Sequence, residues 1–175
     1  MIKESREKNR LLIADDSKMN REILKEILGD EYIVTEAKDG TEAIELLKKE
    51  EDSFSALLLD LNLPETNGYQ VLEWMNEEYV IERIPVIVIL AEDNHENIEK
   101  AYELGAIDYF THPFDMFEIQ KRVAGTLNLY KKYENLIMAS KQVIYVIQII
   151  VEYFMPVMVF ATSLMLKETI HIMCQ

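Results

Sequence analysis

Three acidic side chains carry the chemistry that this sequence offers. Asp60 ends the run ALLLD, whose four leading residues, 56–59, are apolar in the manner of a strand covered on both faces. Asp15 and Asp16 follow a second apolar run, LLIA, at 11–14. Carboxylates brought within a few ångströms repel one another, so they either take up protons or share a cation. A hard divalent ion with oxygen ligands suits such a set. Mg2+ in particular takes one or two carboxylates together with waters and substrate phosphate oxygens. One carboxylate left partly free then acts as nucleophile toward phosphorus, while the ion offsets charge on the phosphoryl oxygens. Asp60, alone on its strand, is assigned that role, with Asp15 and Asp16 holding the ion. The plainer alternative is that Asp60 opens a turn and that the acid pair sits ahead of Ser17 at a helix start, where acids suit the dipole. Which holds depends on whether the fold brings the three together.

The elements that would do so are legible as alternating short apolar runs and longer segments of helical period. Strands are expected near 11–15, 32–36, 56–60, 86–90 and 107–110. Helices are expected near 18–28, 41–49, 69–78 and 94–104, with a fifth starting near Phe114. Gly29, Gly40, Gly68 and Gly105 fall at turns or helix ends, and Pro85 opens a strand, where its missing N–H costs little. Five strands separated by helices of about three turns predict an α/β, doubly wound parallel sheet of flavodoxin-like order 2-1-3-4-5. In that order strands one and three are neighbours, and the carboxyl ends of all strands share one edge where such sheets bind ligands. Asp15, Asp16 and Asp60 would meet there.

With these residues in place the chain resembles the receiver domain of two-component response regulators, from about Asn9 to Thr126. LLIADDSKMNREIL is similar to the family's first strand, acidic pair and first helix. LLLDLNLPETNGYQVL resembles its phosphoacceptor strand and following loop, and GAIDYFTHPF its last strand and X-Pro turn. The resemblance implies aspartyl phosphorylation on Asp60, with Asp15, Asp16, Asp60 and the backbone carbonyl of Asn62 as Mg2+ ligands. It implies a histidine kinase or phosphotransfer protein as donor and Tyr109 as the aromatic that reports phosphorylation to the surface. It implies no enzyme beyond hydrolysis of its own phosphate.

Two positions depart from the family's pattern. Where a Thr or Ser usually ends the fourth strand, VIVILAED has Leu90, and where Lys usually precedes Pro, FTHPF has His112. Imidazole is shorter than a lysine stem and is a weaker fixed charge near neutrality, so His112 is either a pH-sensitive stand-in or a solvated turn residue. Leu90 cannot hydrogen-bond a phosphoryl oxygen at all. A bond of that kind contributes about 1.5 to 3 kcal/mol, so the link between phosphorylation and conformational switching should weaken by a similar amount. One rival is a phosphorylation-independent pseudo-receiver that serves as a dimerisation or partner-binding module. Another is a phosphohydrolase resembling haloacid dehalogenases, which place a second Asp two residues after the nucleophile; here that residue is Asn62.

The chain has 175 residues and a formal net charge of -14. Almost all the charge lies before residue 131; beyond it stand Lys131, Lys132, Glu134, Lys141, Glu152, Lys167 and Glu168 alone. An acidic front and a tail without a basic turn signature argue against nucleic acid as a partner. The lone Cys174 permits no internal disulfide, and the charged start MIKESREKNR lacks the apolar stretch of a secretion signal, so the cytoplasm is expected. The expected organisation is an extension at 1–8, a receiver at 9–126 and an apolar helical tail or truncated output region at 127–175. Within the tail, 142–166 has Glu152 as its single charge and Pro156 near its middle. Its length suits a membrane span, but the charge makes burial by protein, including a homodimer through the last helices, the favoured expectation.

Overall fold

The computed structural model describes residues 9–50, 53–92 and 94–149. Strand and helix alternate as β1 (Arg10–Ala14), α1 (Lys18–Leu28), β2 (Ile33–Ala37), α2 (Gly40–Lys49), β3 (Ala56–Asp60), α3 (Gly68–Glu77), β4 (Val86–Leu90), α4 (His95–Glu103), β5 (Asp108–Thr111) and α5 (Met116–Ile149). A short 3-10 turn, Val80–Glu82, leads into β4. The five strands pair in the order β2-β1-β3-β4-β5, and every pairing is parallel. This is the doubly wound order expected from the sequence, and it sets β1 directly beside β3.

Alternation along the strands divides the core in two. Leu12, Leu57, Leu59 and Val88 face one apolar cluster, completed by Leu47 of α2 and by Val71, Leu72 and Met75 of α3. Leu11, Ile13, Leu58 and Ile89 face the other, against Leu24 and Leu28 of α1 and Ile119 and Val123 of α5. Each such buried side chain contributes about 1.5 to 3 kcal/mol. Every residue of β3 and β4 is buried, which is why these segments appear in the sequence as unbroken apolar runs. The edge strand β2 instead leaves Ile33 half exposed.

Side-chain caps set the helix starts, and they shift several expected boundaries by a residue or two. Asp39 accepts from Glu42 N and Asn67 from Gln70 N, the latter in a reciprocal capping box, so α2 and α3 begin at Gly40 and Gly68. Asn94 accepts from Glu96 N and Asn97 N, which places it outside α4 as the cap. Asp115 Oδ1 accepts from Glu118 N at 2.8 Å, and α5 therefore starts at Met116. At the other end of the site, β1 stops at Ala14 because Asp15 turns its carboxylate back to the Ser17 N–H.

The chain divides into two compact units, Met1–Tyr130 and Lys131–Gln175. The first holds the sheet and α1 to α4. In the second, residues 131–149 form the distal part of α5. No helix among the described residues is long and apolar enough to cross a membrane. Most of the apolar stretch at 142–166, together with the extension at 1–8, lies outside the described residues.

Candidate functional site: an acidic cluster at the carboxyl edge of the sheet

Ala14 of β1 is opposite Leu59 of β3 in parallel register. The next residue of each chain segment is therefore an aspartate leaving the same edge. Asp15, Asp16 and Asp60 each present a carboxylate oxygen, and these oxygens all lie within 4.8 Å of one another. Asp15 is fully buried and Asp60 is 8% exposed. Asp16 is solvent-exposed.

Each buried acid is held by specific donors. Asp15 accepts from Ser17 N at 2.8 Å and from Asn20 Nδ2 at 3.1 and 3.2 Å, one contact to each oxygen. Asp60 Oδ1 accepts from Asn62 N at 2.8 Å, leaving Oδ2 as the oxygen that Asn62 does not engage. Arg21 fixes the backbone beneath the pair, donating from Nη1 to Asp15 O at 2.7 Å and Asp16 O at 3.2 Å, while its Nε pairs with Glu36 at 3.2 Å. Its charge is thus spent on main-chain carbonyls and Glu36. Gly68, the first residue of α3, closes the site from behind: a Cβ there would overlap the carbonyl oxygen of Asp60 and lie 2.7 Å from the Cα of Leu61.

The electrostatics follow from burial. Desolvation pushes Asp60 above the ordinary carboxylate range, the Asn62 N–H draws it down, and the charges of Asp15 and Asp16 push it further up. Asp15 is likewise raised, first by burial, against the pull of its Ser17 and Asn20 donors. A protonated His112 would lower both acids, and it is the least of these influences. The cluster is short of positive charge, and its donors are hard oxygens.

The remaining expected residues sit around this edge in different ways. Leu90 ends β4, is 2% exposed and offers only its carbonyl, which accepts from His112 N at 3.2 Å. The side chain of His112 is half-buried, with its ring 4.2 Å from that of Phe114, and the His112-Pro113 bond is cis. Tyr109, half-buried on β5, packs edge-on against Tyr102 with centroids 6.2 Å apart, and the Arg122 guanidinium lies 5.7 Å from its ring. Asn62 is exposed two residues beyond Asp60. Sequence reasoning missed Asn20, Arg21 and Gly68 as parts of the site. The available signal was their place in the first turns of the helices that follow the acids.

The model of the response regulator receiver domain family matches residues 11–124. Transcriptional regulatory protein SrrA of Staphylococcus aureus is 37% identical over 120 residues, which cover 68% of this chain and 48% of SrrA. The chain thus spans about half the length of the curated relatives it matches. Among solved structures, the receiver domain of the Francisella response regulator 1452 is 28% identical with a TM-score of 0.62, covering 71% of this chain and 98% of that one. Chemotaxis protein CheY4 of Vibrio cholerae, 24% identical with a TM-score of 0.62 over 67% of this chain and 98% of its own, shares the fold. An acidic cluster at the carboxyl edge of a 2-1-3-4-5 sheet, together with these likenesses, leads to one conclusion: residues 11–124 make this chain a member of the response regulator receiver domain family of two-component signalling.

Proposed function

We propose that this receiver, spanning 9–126, accepts a phosphoryl group on Asp60 from a phosphohistidine of a histidine kinase or phosphotransfer protein. The observation that carries the reading is the convergence of three carboxylates within 4.8 Å, two of them buried and raised by desolvation. All the donors are hard oxygens, which fits Mg2+. Asp15, Asp16, Asp60 and the main-chain carbonyl of Asn62 would hold it, and when bound it would offset charge on the phosphoryl oxygens.

The residues of the chain then divide the work. Asn62 N–H orients the carboxylate through Oδ1, so Oδ2 is the attacking atom. A P–O bond forms at Oδ2, the P–N bond to the donor imidazole breaks, and that nitrogen keeps the electron pair and regains a proton from solvent. Asn20 and Ser17 aim the Asp15 carboxylate and favour its ionised form against the opposing effect of burial. Hydrolysis of the acyl phosphate by water returns Asp60 to its resting form, and no other turnover is assigned. Leu90 supplies no hydroxyl to draw the loop after β4 toward the phosphoryl group, and the short ring of His112 stands where the family usually has a longer lysine stem. The switch centred on Tyr109 is therefore weakly coupled to phosphorylation. Output runs through protein contacts in the cytoplasm.

Incubation with Mg2+ and a small-molecule phosphodonor, followed by intact mass measurement, tests this. A gain of about 80 Da, one phosphoryl group, is expected in the wild-type chain and not in Asp60→Ala. No Asp60-dependent adduct would refute the proposal.

A further inference from the structure

We propose, building on the cation site assigned above to Asp15, Asp16 and Asp60, that Arg21 is its positioning residue: it aims Asp16 into the cluster through the main chain, and Glu36 of the edge strand β2 holds it there. The three acids are not fixed alike. The carboxylate of Asp15 accepts from Ser17 N and Asn20 Nδ2, and that of Asp60 from Asn62 N. The exposed carboxylate of Asp16 accepts from no donor among the described residues. Its direction therefore follows from where its own main chain is held.

Arg21 holds that main chain. The carbonyls of Asp15 and Asp16 lie just past the end of β1 at Ala14, and backbone carbonyls taken out of water need a donor. From the first turns of α1 the guanidinium reaches back and donates from Nη1 to both, at 2.7 and 3.2 Å, with its side chain only 13% exposed. Its Nε donates to Glu36 Oε2 at 3.2 Å, and Lys25 Nζ donates to Oε1 at 2.8 Å, so the anchor is itself fixed on both oxygens. A planar fork can span two carbonyls while keeping its anchor, which the point charge of a lysine does not hold in register. None of these bonds reaches a carboxylate of the cluster. The guanidinium thus stands beside a site for another cation, where its charge by itself opposes metal binding. Its benefit comes from order instead: a ligand held before the ion arrives has less freedom to lose.

The two effects differ in sign, so Mg2+ affinity separates them, measured by titration calorimetry of the full chain without phosphodonor. Were charge alone at work, Arg21→Met would tighten Mg2+ binding; loss of positioning should weaken it by about 10 to 100-fold. Arg21→Lys, which keeps the charge without the fork, should weaken it too, and it carries the comparison if Arg21→Met loses the receiver's thermal transition. Arg21→Met/Glu36→Gln should bind as weakly as Arg21→Met, because Glu36 acts through Arg21; charge alone would make the two changes cancel. Lys25→Met removes a partner of Glu36 but no contact to Asp15 or Asp16, and should stay within about twofold of the wild type. Wild-type or tighter affinity in either folded Arg21 variant overturns the positioning role while leaving the cation site standing. So does recovery of wild-type affinity in the double variant, or a loss in Lys25→Met as large as in Arg21→Met. A wild-type chain that takes up no Mg2+ overturns the cation site itself, and the role of Arg21 with it.

Discussion

Replacing Asp60 by Asn should stabilise the metal-free receiver while removing its response to Mg2+. The substitution preserves volume and keeps an oxygen to accept from Asn62 N, so the perturbation is almost purely one of charge. Two unit charges at the 4.8 Å bound of the cluster repel by about 3.5 kcal/mol at an effective dielectric constant of about 20. Asp16 is exposed and adds less, and partial protonation of the wild-type site relieves part of the repulsion, leaving a net gain of about 1 to 3 kcal/mol. That corresponds to a rise in Tm of about 4 to 10 °C for a domain of this size. The pH dependence is a sharper signature. Because Asp60 is raised in the folded state, its contribution to stability is fully present below the ordinary carboxylate pKa and is lost as pH rises through the raised value. The advantage of Asp60→Asn should therefore be negligible in acid and grow toward neutrality. Mg2+ at about 100 times its Kd should add about 2.7 kcal/mol to the wild type and much less to the variant. Thermal unfolding with and without Mg2+ across this range measures all three effects. A metal-free variant less stable than wild type near neutrality, or one stabilised equally by Mg2+, would show that the acids do not act as a charge-frustrated cation site.

Asn20→Ala removes donors to both oxygens of Asp15 and should lower stability by about 1 to 3 kcal/mol, with Mg2+ affinity by titration falling about 10 to 100-fold; unchanged affinity would make Asn20 merely structural. Glu36 is held below its ordinary range, chiefly by its hydrogen bond from Lys25 and, against some desolvation, by Arg21. Its stabilisation is present above the ordinary Glu pKa and lost as pH falls through the lowered value, so Glu36→Gln should flatten the acid limb of the stability curve measured by denaturant titration. Leu90→Thr with His112→Lys should enlarge the phosphodonor-dependent change in Tyr109 environment, read by NMR; an identical response in the wild type would show that these positions do not limit switching.

The parts of the fold legible in the sequence are those where burial leaves one choice. The run ALLLD could only be a strand covered on both faces, and its place between helical segments put Asp60 on the edge shared with the acid pair. What stayed hidden depends on tertiary approach. Asn20 is an unremarkable polar residue in a first helical turn until the chain folds and its amide meets Asp15. Tyr79 and Glu65 adopt left-handed backbone with φ of 58° and 61°, which no glycine signals in advance. Gly125 lies inside α5, and nothing lies within 4 Å of where a Cβ there would stand, so that glycine marks neither a turn nor a tight contact. Helix starts moved by a residue because a cap and the residue it caps share the same polar vocabulary.

The bare α-carbon of Gly68 ties the main chain of Asp60 to the beginning of α3 with no side chain between them. Such a joint has no rotamer to absorb motion. Were Asp60 phosphorylated as proposed, a shift of its carbonyl would press on the first turn of α3, a path to the back of the sheet edge that runs through neither Leu90 nor His112.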